Sequence, residues 1–145
     1  MSTVEENMSL MQTLDDAWNA QDWVTFEKRH AAQVDVFWPG QEKPTHGRPS
    51  HKEEAIAFFE TFPDNRVENR PYRIFFGQGD YTCSVTEMSG TFKGPMPTPD
   101  GKIIQPNGRK FKLDFCTVAH WKSGEFVEEK LFFDKILMMQ QLGLM

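Results

Sequence analysis

The residues of this chain that could do chemistry are acid–base groups, and the chemistry they suit is proton transfer on a small molecule. Proton abstraction beside a carbonyl needs a base of tuned pKa and a donor for the developing oxyanion. Glu129 lies in the run 125–133 (EFVEEKLFF), two residues before Leu131 and so on the same strand face. Apolar surroundings would raise the pKa of an inward carboxylate there, which makes Glu129 the candidate base. His46, in a polar loop, and Tyr81, opening a strand, are the candidate donors. Glu87 is in phase with Tyr81, Cys83 and Val85 and is a second inward candidate. Asp35 and Asp114 fall on faces read as outward.

Other chemistries fit less well. A metal held by His46 and His51 lacks the i, i+4 helical spacing and a carboxylate in register, so no metal is expected. His30 reads as a cation at a helix C-terminus, and His120 as an outward strand residue. Cys83 and Cys116 sit in neither a Cys-x-x-Cys nor a helix N-terminal setting. Two thiols make no disulfide framework, and both read as buried and reduced. No glycine-rich phosphate loop leads from a strand into a helix, and no cofactor is expected. A hydrolase using a histidine-held water ranks last, because no second acid is placed to orient the histidine.

The elements that must position these groups follow from periodicity. Thr3 and Glu6 have capping-box spacing, and Val4, Met8, Met11, Leu14 and Trp18 recur at helical period to about Ala20. Asp22 caps a second helix through about His30. Residues 34–38 form a strand stopped by Pro39-Gly40, and 41–49 a loop. Ser50, with Glu53 at the box position, caps a third helix ending near Phe62. Strands follow at 72–77 and 81–92. Residues 94–108 make a proline- and glycine-rich excursion with a small ribbon near 102–105. Strand 110–121 turns at 122–124 into strand 125–133, and Asp134 opens a closing helix. In strand 110–121, Phe111, Leu113, Phe115, Thr117, Ala119 and Trp121 share the face that should meet the helices. Helices first, then antiparallel strands, give an α+β layout in one domain, residues 1–145.

Composition narrows the partners. With 16 basic and 21 acidic residues the net charge is −5, and no basic stripe interleaves with aromatics, so nucleic acid is not an expected partner. No apolar run is long enough to span a bilayer. The N-terminus is acidic and has no secretory apolar core, so a cytoplasmic protein is expected. Thirteen Phe, four Trp and two Tyr supply a large apolar area. Trp38, Phe58, Phe62, Tyr81, Phe92 and Phe115 either line a pocket for a planar apolar ligand or simply fill the core.

Several stretches, in order, resemble the SnoaL-like polyketide cyclase group of the nuclear transport factor 2-like superfamily. They are 18–22 (WNAQD), 45–48 (THGR) before a helix, 90–94 (GTFKG), 124–129 (GEFVEE), and Phe133-Asp134 leading to Gln141 and Gly143. The resemblance implies a cone: a bent antiparallel sheet wrapped around three N-terminal helices, a short C-terminal helix, and a pocket at the open end. It also implies a homodimer through the outer sheet face, where Cys116 and Val118 lie, and a small apolar or polyketide-like ligand. The catalytic positions of the superfamily's enzymes fall here on Leu131, Thr117, Trp38 and Leu14, none of which transfers a proton at neutral pH. Thr117 and Leu131 are therefore expected as pocket lining. Two readings stay open, a cofactor-independent isomerase or cyclase and a non-catalytic ligand-binding or dimerisation module.

Overall fold

The computed structural model describes residues 3–145; the first two residues of the N-terminal segment read as signal-free lie outside them. Helix α1 spans Val4–Ala20, and the Thr3 hydroxyl accepts from the Glu6 N–H at 3.1 Å, as the capping-box spacing requires. Helix α2 (Trp23–Arg29) is capped by Asp22. Strand β1 (His30–Phe37) starts at once, four residues earlier than the sequence suggests. Thr45–His46, within the expected loop, forms β2 against β1. Helix α3 (Arg48–Thr61) also starts early. Its N-cap is Gly47 at φ 94°, not Ser50, with a proline in the first turn.

The remaining strands are β3 (Arg66–Val67), β4 (Ile74–Gln78), β5 (Tyr81–Thr91), β6 (Met96–Pro97), β7 (Ile103–Ile104), β8 (Lys110–Lys122) and β9 (Glu125–Phe132). Helix α4 (Lys135–Gln141) closes the fold, with Asp134 accepting from the Leu137 N–H at 2.9 Å. Seven strands form one curved sheet in the order β2-β1-β9-β8-β5-β3, with β4 also on β5. All its pairings are antiparallel except β1 with β9, which is parallel. The ribbon β6–β7 stands apart.

The inner face of β8 is the apolar set the alternation marks, Phe111, Leu113, Thr117, Ala119 and Trp121 being buried. Strand β5 is phased opposite to expectation. Its register sets Thr82, Ser84, Thr86 and Met88 against Ala119, Thr117, Phe115 and Leu113, so these are the buried residues. Tyr81, Cys83, Val85 and Glu87 therefore face outward. Glu87 pairs there with Arg73 and Lys112. The thiols of Cys83 and Cys116 stand 3.8 Å apart on the same outer face, half-buried, sharing a weak S–H···S contact and not joined as a disulfide.

Two apolar clusters fill the interior. One gathers Met11, Leu14, Phe26, Val34, Val36, Trp121 and Phe126 between α1, α2 and the β1–β9 half of the sheet. The other gathers Phe62, Phe92, Phe111, Leu113, Met138 and Leu142 under α4. Side-chain amides pin α1 to β3: the Trp18 indole N–H donates to Asn65 at 2.6 Å, and Asn19 makes a two-way bond with the Val67 backbone. The seam between the two clusters carries the site.

Candidate functional site

A mostly apolar cavity lies between α1, α3 and the inner sheet face. Met11, Leu14, Trp18, Phe26, Trp38, Phe58, Phe115, Thr117 and Leu131 form most of its wall, and four ionisable groups, Asp15, His30, His51 and Glu129, reach it. Water centres can occupy about 40 Å³ of it, roughly three times what a single water needs. Trp38 and Phe58 also border an outer cleft of about 360 Å³ on the same measure, walled further by Phe62, Met96, Phe133, Met138 and Met139.

Glu129 reaches the cavity through a bulge. Along β9, Trp121 faces Phe126 but Ala119 faces Glu129, so the pairing slips between them. Without that slip Phe126 and Glu129, three residues apart, would point to opposite faces. With it both are buried. Ala119, directly opposite, leaves room beside the carboxylate.

His51 projects from α3, fully buried, between two carboxylates. Its Nδ1–H donates to Glu54 Oε1 at 3.2 Å, and its Nε2 lies 3.4 Å from Glu129 Oε1. Burial alone would push the imidazole down; the contacts with Glu129 and Glu54 outweigh it and push it up to about 9. Glu54 is fixed in turn by the Trp38 indole N–H at 3.0 Å and the Thr45 hydroxyl at 2.7 Å. Although partial burial opposes it, the hydrogen bonds from His51, Thr45 and Trp38 hold the Glu54 carboxyl below its usual range.

His30 is no exposed helix-end cation. It opens β1 with no exposed surface, because the chain turns from α2 straight into a buried strand. Its Nδ1 lies 2.6 Å from the Phe26 carbonyl oxygen. A carbonyl only accepts, so Nδ1 carries the proton. Burial pushes the ring down to about 4 despite the opposing pull of Glu129, which leaves it neutral with the lone pair on Nε2. That Nε2 has no hydrogen-bond partner among the described residues.

Asp15 is the group the sequence reading missed. It sits beside Leu14 on α1, buried, and accepts the Tyr72 hydroxyl proton at 2.6 Å. Burial pushes it up to about 7; the Tyr72 hydrogen bond opposes this, and the charges of Glu129 and Asp16 add to it. The same burial and the Asp15 charge push Tyr72 up. A helical face counted for apolar residues gives no reason to turn an aspartate inward; the only signal was its adjacency to Leu14.

Among the residues proposed from sequence, Glu129, Trp38, Phe58, Phe115, Thr117 and Leu131 meet at this cavity, while Phe62 borders only the outer cleft. Phe92 is packed in the lower core. The two donors lie elsewhere. His46 is exposed on β2 and bonds Asp35 and Gln33, because pairing with β1 turns it onto the outer face. Tyr81 is outward and stacks on His120 at 4.6 Å.

A curved sheet closed over helices, with a cavity between them, defines the class of small α+β pocket folds. The sequence profile of the SnoaL-like polyketide cyclase family matches residues 8–142, and the chain belongs to that family. No curated protein matches it significantly. Solved structures match throughout. A candidate SnoaL-like polyketide cyclase from Jannaschia sp. CCS1 is 19% identical, with 98% of this chain and 95% of that one covered and a TM-score of 0.83. AclR, a candidate hydroxylase from Streptomyces galilaeus, is 16% identical over 99% of both chains at a TM-score of 0.79. IdmH, a candidate polyketide cyclase from Streptomyces antibioticus, is 21% identical over 94% of this chain and 98% of its own at 0.76. At these identities the likeness establishes the fold alone. No helix among the described residues is long and apolar enough to cross a membrane.

Proposed function

We propose that this protein is a cofactor-independent isomerase or cyclase acting by proton transfer on a small apolar carbonyl compound of polyketide-like character. One observation carries the reading. Two buried carboxyl groups, Asp15 and Glu129, line one apolar cavity, and Asp15 has its pKa lifted to about 7. A carboxyl lifted toward neutrality is suited to act as the acid beside a second buried carboxyl. Glu129, anchored by His51, takes the proton from carbon. Asp15, its second oxygen held by Tyr72, gives one to the carbonyl oxygen. The cavity is too small for a whole polyketide, so the reactive end enters it and the body lies in the outer cleft against Phe62, Met96 and Phe133. We place this activity in a cytoplasmic homodimer, to which the exposed outer-face residues Ile74, Phe76 and Phe132 lend support.

The test is solvent deuterium uptake at the acidic carbon of a panel of apolar 1,3-dicarbonyl compounds, followed by NMR. Glu129→Gln should slow uptake at least about a hundredfold, the size of a general-base contribution. Equal rates in Glu129→Gln and the parent would remove Glu129 from the chemistry. A pH-independent affinity without exchange would favour a plain binding module.

A further inference from the structure

The floor of the cavity brings three ligating atoms together, one of them on Glu129, the base assigned above. His30, His51 and Glu129, all buried, each offer one ligating atom, and the three atoms lie within 4.8 Å of one another. We propose that these three residues form a binding site for a divalent first-row metal ion of the zinc class.

The geometry of each imidazole supports this. His30 gives Nδ1–H to the Phe26 carbonyl and His51 gives Nδ1–H to Glu54, so each points Nε2 inward; the proton that His51 Nε2 holds toward Glu129 is the one an ion displaces. His30 Nε2 is buried and has no partner among the described residues. Such an atom is costly to bury unless something binds it. His51 Nε2 and Glu129 Oε1 are 3.4 Å apart. That is about the separation of two ligands on a tetrahedral ion with bonds of roughly 2.1 Å. Closing the wider edges of the triangle takes at most about 1.4 Å, within reach of small side-chain rotations.

The surroundings match what metal ligands need. A ligating histidine almost always offers its other N–H to a carbonyl or carboxylate, which fixes the ring. Here the Phe26 carbonyl and Glu54 hold those places, and Trp38 and Thr45 secure Glu54. The three ligands come from β1, α3 and β9, so the folded core sets their spacing. Two imidazoles and one carboxylate suit zinc, cobalt or iron better than magnesium or calcium, which prefer all-oxygen sets. Three protein ligands leave a coordination position facing the cavity, where there is room for water.

This site goes beyond the proton-transfer reading and does not rest on it. With an ion bound, Glu129 is a ligand and no longer a free base, while Asp15 keeps its place.

The test uses the full chain, stripped with a chelator and titrated with Co²⁺, with Zn²⁺ as competitor. One equivalent should bind and give the visible absorption of low-coordinate cobalt, and Zn²⁺ should bleach it. His30→Gln should weaken Zn²⁺ binding at least about a hundredfold, and Glu54→Gln, which removes only an orienting partner, about ten- to a hundredfold. Circular dichroism reports whether each variant is folded; should His30→Gln fail to fold, Glu54→Gln carries the test. His46→Ala, which alters an exposed imidazole, should bind as the parent does. The site is refuted if the parent binds no ion, if the folded variants bind like the parent, or if His46→Ala abolishes binding. Asp15→Asn separates the two readings. It should lose deuterium exchange and keep the cobalt spectrum, so either can fail without the other.

Discussion

Burial of Asp15 should contribute stability that is lost as pH rises, and an asparagine at that position should remove this contribution to the pH dependence. The carboxyl goes from 3.8 when unfolded to about 7 when folded. Between those values the folded chain keeps a proton that the unfolded chain has released. The stability that the Asp15 proton contributes is therefore fully present below about pH 4 and gone above about pH 7, while His30, held down at about 4, acts in the opposite sense in parent and variant alike. Each pH unit is worth about 1.4 kcal/mol, so roughly three units give about 4 kcal/mol. The substituted amide cannot ionise, yet its oxygen can still accept from Tyr72. Groups that titrate alike in both proteins cancel in the difference. Urea unfolding of the parent and Asp15→Asn, followed by tryptophan fluorescence from pH 4 to 8, measures that difference directly. Asp15→Asn should gain about 4 kcal/mol on the parent across the range, or about 10 °C in Tm for a chain of this size. Parallel curves would refute the reasoning. A parent that gained on the variant would mean that the carboxylate is held as a stabilised anion.

Three further outcomes follow from named contacts. Tyr72→Phe removes the hydrogen bond that most lowers Asp15, so the midpoint of the stability loss should move to higher pH in the same titration. Thr82→Val strands the buried Trp121 indole N–H, now donated to the Thr82 hydroxyl at 2.9 Å; the cost should be about 1–3 kcal/mol by urea midpoint. Gly94→Ala would set its Cβ 1.8 Å from the Glu60 carbonyl oxygen, so the backbone must shift and loosen the Lys93 and Gly94 N–H bonds to Thr61. It should cost about 1–3 kcal/mol or more, read as a lowered Tm.

The four positions to which the resemblance assigned catalytic groups, Leu14, Trp38, Thr117 and Leu131, meet at one cavity. The ionisable groups lie beside them: Asp15 next to Leu14, and Glu129 two residues before Leu131. Reading these positions one at a time therefore located the cavity but not all of its chemistry. From the sequence His51 pairs as a possible metal ligand only with His46, and His30 reads as a cation at a helix end. In the structure each sits on a different element, so the separation along the chain carries no signal.

Local sequence determined the order of the elements, the caps at Thr3, Asp22 and Asp134, and the buried face of β8, because capping and alternation depend only on neighbours along the chain. It could not determine the phase of β5, where threonines and a serine go inside and Tyr81 and Glu87 go out, because pairing with β8 sets that register. Nor could it supply the bulge that turns both Phe126 and Glu129 inward. The inward turn of Asp15 and the convergence of His30, His51 and Glu129 belong to the tertiary structure alone. Those groups are brought together by packing between distant segments, and burial, which no local pattern encodes, is what shifts the pKa values of Asp15 and His30.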